Sequence, residues 1–172
     1  MGGSYVGTAY TFATRDIQNE MFTWGAGSYG AGGVNDTTTR SSPIQVPGTW
    51  THVYQGVEGN LSNFFAKDSG TLWSAGYNST GVLGLNDRIR RSSPTQIPGT
   101  TWSSAAGLAN RVLALKTDGT LWSWGNNIGG GLGLNQGTPD NIKYSSPVQV
   151  GSDTTWVQPY VARYGSFGIK EV

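Results

Sequence analysis

Short apolar or alternating runs recur along the chain, each ending in a turn signal. The pattern is plainest in the third stretch. Trp102 to Leu108 is a run of apolar and small residues, Arg111-Val112-Leu113-Ala114-Leu115-Lys116 follows, and Thr117-Asp118-Gly119-Thr120 leads into Leu121-Trp122-Ser123-Trp124. Asp-Gly tolerates positive φ, so the pattern predicts two antiparallel strands closed by a tight hairpin. After a Gly-rich loop and a polar excursion, Ser145-Ser146-Pro147-Val148-Gln149-Val150 alternates like a further strand. Pro147 has no N–H to give a ladder, which places it at the beginning of that strand or on an outer edge. Four such strands make a unit of about fifty residues, the size of a propeller blade.

The unit repeats. Phe22-Thr23-Trp24-Gly25, Trp73-Ser74-Ala75-Gly76 and Trp122-Ser123-Trp124-Gly125 set their glycines 51 and 49 residues apart, and each is followed by a glycine pair: Gly30 and Gly33, Gly81 and Gly84, Gly130 and Gly133. Ser41-Ser42-Pro43, Ser92-Ser93-Pro94 and Ser145-Ser146-Pro147 keep steps of 51 and 53, and Trp50, Trp102 and Trp156 steps of 52 and 54. The third unit is longer within 137–144 while its flanking motifs stay intact, which predicts a surface loop. Leu83 and Leu132, each just before the second glycine of its pair, are expected as core pegs. The spacing predicts an N-terminal arm over 1–9, blades over about 10–48, 50–98 and 102–150, and a partial blade over 156–172.

Leu121-Trp122-Ser123-Trp124-Gly125-Asn126-Asn127, Gly130-Gly131-Leu132-Gly133-Leu134 and Ser145 to Val150, with Lys116-Thr117-Asp118-Gly119 before them, resemble the repeat of the regulator of chromosome condensation family. The resemblance covers roughly residues 10 to 170 and implies a β-propeller, usually of seven blades. The Gln that often precedes the repeat's Leu is replaced by Ala31, Val82 and Gly131, and the first copy lacks that Leu. The expected fold is therefore all-β: blades of four antiparallel strands, about three blades and a partial one, with closure completed by another chain.

Composition narrows the function. With 27 Gly and only 12% charged residues, the chain is poor in helix formers and its net charge of +1 gives it no pull on nucleic acid or an acidic membrane. No Cys is present, which removes disulfides, thiol nucleophiles and thiolate metal sites. Met1-Gly2-Gly3-Ser4 has neither the basic start nor the apolar core of a secretory signal, no run approaches the length of a transmembrane helix, and Val6 stands where a myristoylation signal needs Ser or Thr.

The chemistry-bearing residues have structural readings. The Gly-rich strings lack a following Lys-Ser or Lys-Thr and are read as blade turns, not phosphate loops. His52 is the single histidine. Asp68 and Asp118 belong to hairpin turns, and Asp36 and Asp87 to equivalent loops, so catalysis, metal and cofactor are not expected. The aromatics on the repeat, Trp24, Trp73, Trp122 and Trp124 with Trp50, Trp102 and Trp156, are read as packing. Tyr29, Tyr54, Tyr77 and Tyr144 fall off it. Arg88-Ile89-Arg90-Arg91 is the one charge run, a solvated loop or a contact for an acidic partner. Partner contacts are expected in the variable loops, at Arg40, Arg88, Ile89, Arg90, Arg91, Lys143 and Tyr144. Gly25, Gly33, Gly76, Gly84, Gly125 and Gly133 complete the structural set with the Trp and Leu positions.

The resemblance implies several uses, among them nucleotide exchange on a small GTPase, β-lactamase inhibition and adaptor roles, and no stretch here carries exchange-factor residues across. Ser-Ser-Pro-Ile-Gln-Val-Pro-Gly-Thr-Trp is similar to bacterial and bacteriophage copies of the repeat. The expected function is a non-enzymatic structural and protein-interaction module, foremost a phage virion component that decorates the capsid or joins tail or fibre. A free-standing bacterial binding or inhibitory propeller is the alternative, and a sugar-binding module the third reading. The expected partners are a second copy or another virion protein, with no nucleic acid and no membrane, and the expected location is the virion or extracellular space, or otherwise the cytoplasm. Three blades and a fraction fall short of the four to eight that close a propeller, so intermolecular closure is expected.

Overall fold

The protein is described here from a computed structural model covering residues 10–15, 19–55, 62–108, 110–136, 142–162 and 165–171. The arm at 1–9 and most of the longer third loop, 137–141, lie outside the described residues. β1 (Tyr10–Arg15), β2 (Glu20–Gly25) and β3 (Arg40–Val46) form a three-stranded antiparallel sheet in chain order. β4 (His52–Gln55), β5 (Ser62–Lys67), β6 (Thr71–Gly76) and β7 (Arg91–Gln96) form a four-stranded sheet, and β8 (Trp102–Leu108), β9 (Arg111–Lys116), β10 (Leu121–Asn126) and β11 (Lys143–Gln149) a second. β12 (Trp156–Val161) and β13 (Ser166–Lys170) pair as a two-stranded sheet. The fold is all-β, and among the described residues the helical segments are two single 3-10 turns.

The turns explain the hairpins. In both full blades the glycine of the Asp-x-Gly or Asp-Gly turn donates its N–H back to the lysine carbonyl, Gly70 to Lys67 at 3.1 Å and Gly119 to Lys116 at 3.0 Å. Only the glycine takes positive φ, 71° at Gly70 and 76° at Gly119. Asp118 instead keeps negative φ and accepts hydrogen bonds from the Thr120 N–H and hydroxyl. This is a finer division of labour than the Asp-Gly signal implies: the glycine supplies the conformation and the aspartate ties down the exit. Pro147 lies in β11, the outer strand of its sheet, where its missing N–H costs no ladder bond.

The core lies between blades rather than within one. Met21, Val46, Trp50, Phe65 and Ala75 fill the space between the first and second sheets. Phe64, Leu72, Val82, Leu83, Ile97, Trp102, Val112 and Trp124 fill that between the second and third. Leu113, Leu115 and Leu121 meet half-buried Trp156 and Val161 at the last sheet. Leu83 and Leu132 are both buried, and each hangs from the same bonds: Leu83 N–H to Asn78 Oδ1 (2.9 Å) with its carbonyl taken by Ser74 Oγ (2.8 Å), Leu132 N–H to Asn127 Oδ1 (3.1 Å) with its carbonyl taken by Ser123 Oγ (2.8 Å). In the first blade Gly32 stands at the leucine's place and Gly27 at the asparagine's, and Thr23 Oγ1, where the others have Ser, is buried without a partner among the described residues.

Candidate interaction surface

Three junctions separate the four sheets, and the same contacts recur at them. The backbone carbonyl just before the peg position is captured by the next blade: Ala31 O by Asn63 Nδ2 (2.9 Å), Val82 O by Trp124 Nε1 (2.7 Å), Gly131 O by Ser166 Oγ (2.6 Å). A second clasp joins the loop asparagine to the following blade's Ser-Ser pair. The Asn35 N–H donates to Ser92 O (2.8 Å) and its Oδ1 accepts from Ser93 Oγ (3.0 Å); the Asn86 N–H donates to Ser145 O (2.7 Å) and its Oδ1 accepts from Ser146 Oγ (3.0 Å). Asn35, Asn86 and Asn135 all take left-handed angles, φ 64°, 62° and 51°, which asparagine tolerates better than most residues.

The hairpins of the two four-stranded sheets each carry a cation between rings. Lys67 Nζ lies 4.8 Å from the Trp50 ring and 4.6 Å from Trp73, and Lys116 Nζ 5.0 Å from Trp102 and 4.1 Å from Trp122. Lys170 Nζ lies 4.4 Å from Trp156. Trp73 and Trp122 are half-buried rather than enclosed, and their indole N–H groups reach Thr71 and Thr120 hydroxyls. Their role is thus to roof a lysine as well as to pack, since an ammonium over an indole face is attracted by the ring quadrupole. Sequence reading missed the role of the lysines; the recurrence of Lys67 and Lys116 just before their Gly turns was the available signal.

These contacts absorb most repeat positions, and the variable loops remain. In the first two blades the loop is shut by one ion pair, Asp36 to Arg40 (2.6 Å) and Asp87 to Arg91 (2.5 Å). Gln136 and Tyr144 occupy the same places in the third and replace it with a neutral bond of 2.5 Å from the Tyr144 hydroxyl. The bond to the Arg40 guanidinium, with the Thr38 N–H, holds the Asp36 carboxyl well below the usual range. Burial alone would raise Asp87, but the Ile89 N–H, Arg91 and Asn78 outweigh it and hold its pKa down. Arg40, Arg91 and Tyr144 are therefore committed to loop closure, and Lys143 is half-buried at the start of β11.

Arg88, Ile89 and Arg90 are what the second loop presents to solvent. Ile89 is 64% exposed, both arginines are exposed, and Asp87 Oδ1 fixes the tip by accepting the Ile89 N–H at 2.8 Å. Tyr29 and Tyr77, from neighbouring blades, meet edge to face at 5.0 Å. His52 is exposed and stacks on Tyr54. Arg111 is buried, with Nε and Nη1 lacking hydrogen-bond partners among the described residues, and burial lowers its pKa from the ordinary arginine value. Among the described residues no three His, Cys, Asp or Glu gather as a metal site, and no helix is long and apolar enough to cross a membrane.

Comparison with known proteins gives the same architecture. Human WBSCR16 superposes with a TM-score of 0.77 at 23% identity, over 94% of this chain and 42% of that one. Yeast RCC1 (Prp20), solved with Kap60, superposes at 0.75 with 18% identity, over 95% and 41%. Prp20p from Saccharomyces cerevisiae, solved in a study of its binding to Gsp1p and histones, superposes at 0.74 with 18% identity, over 95% and 42%. The chain spans about two fifths of the length of these structures. No curated protein matches it by sequence. Residues 118–166 match the model of the regulator of chromosome condensation (RCC1) repeat. Residues 118–166 thus carry a match to the RCC1 repeat, and the described sheets share the fold of the blades of these structures.

Proposed function

We propose that the chain is a non-enzymatic protein-interaction module that binds through its inter-strand loops, foremost the loop at 86–91. One observation carries the reading: repeat residues with chemical potential are spent on junctions, hairpins and loop closure, while Arg88, Ile89 and Arg90 stand exposed on a loop braced by the Asp87–Arg91 pair. A rigid loop with two cations around an apolar side chain suits an acidic protein surface with an apolar centre. A relative of this fold, yeast RCC1, was solved with Kap60, and Prp20p was studied for binding to Gsp1p and histones, which supports a protein partner in general terms.

The setting we favour is a phage virion, at the capsid surface or at a tail or fibre joint, in contact with a second copy or another virion protein. Its support is the phage-like phrasing of the Ser-Ser-Pro-Ile-Gln-Val stretch. Mass spectrometry of purified particles carrying the gene should find the chain; its absence from particles that express it overturns the setting. Arg88→Glu with Arg90→Glu should weaken capture of an acidic partner protein at least tenfold, more than any strand-face change. Equal capture by the double variant removes the loop from the reading. A hydrolase or transferase panel should show no turnover that depends on His52 or Asp87, and turnover lost in either variant would contradict the non-enzymatic reading.

A further inference from the structure

Tyr29 and Tyr77 stand off the repeat, and the fold brings them together across the junction of the first two sheets, edge to face with ring centroids 5.0 Å apart. Tyr29 is 38% exposed and Tyr77 half-buried. Packing does not require the pair. At the next junction the corresponding positions hold Thr80 and Asn126, shorter polar residues that are both buried.

The backbone under Tyr29 is also unusual. Its φ is 62°, in the left-handed region, where the other non-glycine members among the described residues are asparagines and Thr101. The third blade places Gly129 at this point of the turn, at the same φ of 62°. A bulky ring is disfavoured there. Gly30 behind it is held under the next blade, where a Cβ would lie 2.5 Å from Ser92. The turn thus favours glycine and carries an exposed ring instead, and strained residues of this kind gather at binding and catalytic sites.

The pair adjoins the 86–91 loop. Asn78, next to Tyr77, donates from Nδ2 to the carbonyls of Asp87 and Ile89, both at 3.1 Å. On the other side Gly30, next to Tyr29, lies against Ser92 and the Arg91 carbonyl. The two rings therefore stand at the foot of the loop whose tip presents Arg88, Ile89 and Arg90.

Resting on the reading of that loop as the interaction site, and naming the form of its partner, we infer that the chain binds an extended acidic peptide segment carrying proline. The proline seats on the Tyr29–Tyr77 pair while neighbouring carboxylates meet Arg88 and Arg90. Complementary charge selects the acidic residues. The residue on the rings must be uncharged, because the negative face of an aromatic ring repels a carboxylate. Proline suits the place: its apolar ring packs on tyrosine, and it holds the segment in the extended polyproline II form before binding, which lowers the ordering cost.

The probe is the end-blocked peptide Glu-Glu-Pro-Pro-Glu-Glu, titrated into the isotope-labelled full chain and followed by NMR. Saturable shifts are expected at the Tyr29, Tyr77 and 88–90 amides, with a Kd below about 1 mM. Tyr29→Gly, which installs the residue that the third blade uses at this turn, should weaken binding about tenfold without lowering the melting temperature, since relief of the backbone offsets the lost ring contact. Tyr29→Phe, which keeps the ring, should bind within about twofold of the parent. Replacing both prolines of the peptide by alanine should also weaken binding about tenfold. The inference is overturned by the absence of a saturable shift up to about 2 mM, by shifts that map away from the tyrosines, or by equal binding of Tyr29→Gly or of the alanine peptide. A Tyr29→Gly chain that melts well below the parent would give the ring a packing role and overturn it as well. If R88E/R90E loses capture of an acidic protein while Tyr29→Gly keeps it, the loop reading stands and the tyrosine seat falls; if the double variant captures as well as the parent, the loop reading itself fails.

Discussion

Leu83 and Leu132 show how one residue type is fixed by its neighbours. Each is buried, with its N–H and carbonyl both bonded by side chains of the same blade. Removing the side chain leaves a cavity that this bonded backbone cannot relax to fill, so Leu83→Ala should cost about 2–5 kcal/mol in a urea melt, while Arg90→Ala should stay within about 0.5 kcal/mol. Leu132→Ala should cost less than Leu83→Ala, because the cavity beyond Leu132 is already open. Equal losses at Leu83 and Arg90 would place the core elsewhere. The loop carboxylates make a pH prediction. Asp36 and Asp87 have folded pKa values below their unfolded ones, so their contribution is present above about pH 4 and is lost as pH falls through the folded values. Both pairs are solvent-screened, so the effect is small. NMR should show the Arg40 and Arg91 guanidinium signals moving only in strong acid, and Asp36→Asn should abolish the Arg40 transition; a transition near pH 4 would mean that the pairs do not form.

At the scale of the strand and hairpin, much was legible in the sequence because local chemistry decides it. The turn glycines follow from φ, the strand alternation from pleating, and the Ser-Ser-Pro strand's outer position from proline's missing N–H. What could not be read depends on register and on neighbouring blades. The Lys116 and Lys170 roofs require knowing that the lysine pairs across from the first-strand Trp, the Lys67 roof that Trp50 lies just ahead of β4, and the Asn clasps join residues 58 and 60 positions apart. The run Arg88 to Arg91 looked uniform, yet Arg91 closes the loop and the three residues before it do not. The seven Trp looked equivalent as packing residues, yet Trp24 is half-exposed because no preceding blade covers it among the described residues. The hairpins also predict a contrast between glycines. Gly119 has positive φ and its Cβ would strike the Thr154 backbone, whereas Gly129, also at positive φ, has open space around it. Gly129→Ala should therefore cost about 1 kcal/mol, from conformation alone, and Gly119→Ala clearly more by thermal melt. Equal costs would show that β12 does not pack against the β9–β10 turn.

For the whole molecule, stability is the sum of junctions, since the apolar clusters lie between sheets and each blade meets only its neighbours. The central claim is that one junction design recurs and that, among the described residues, its third instance lacks the asparagine clasp of the first two. Amide hydrogen exchange reads this most directly. Asn35 and Asn86 donate their N–H groups to Ser92 and Ser145 in the next blade, and Asn135 has no such acceptor among the described residues. In dilute solution the Asn35 and Asn86 amides should exchange on the order of a hundredfold more slowly than Asn135, a protection of about 3 kcal/mol of local opening. Uniformly slow exchange at all three asparagines in dilute monomer, or uniformly fast exchange, would contradict the account.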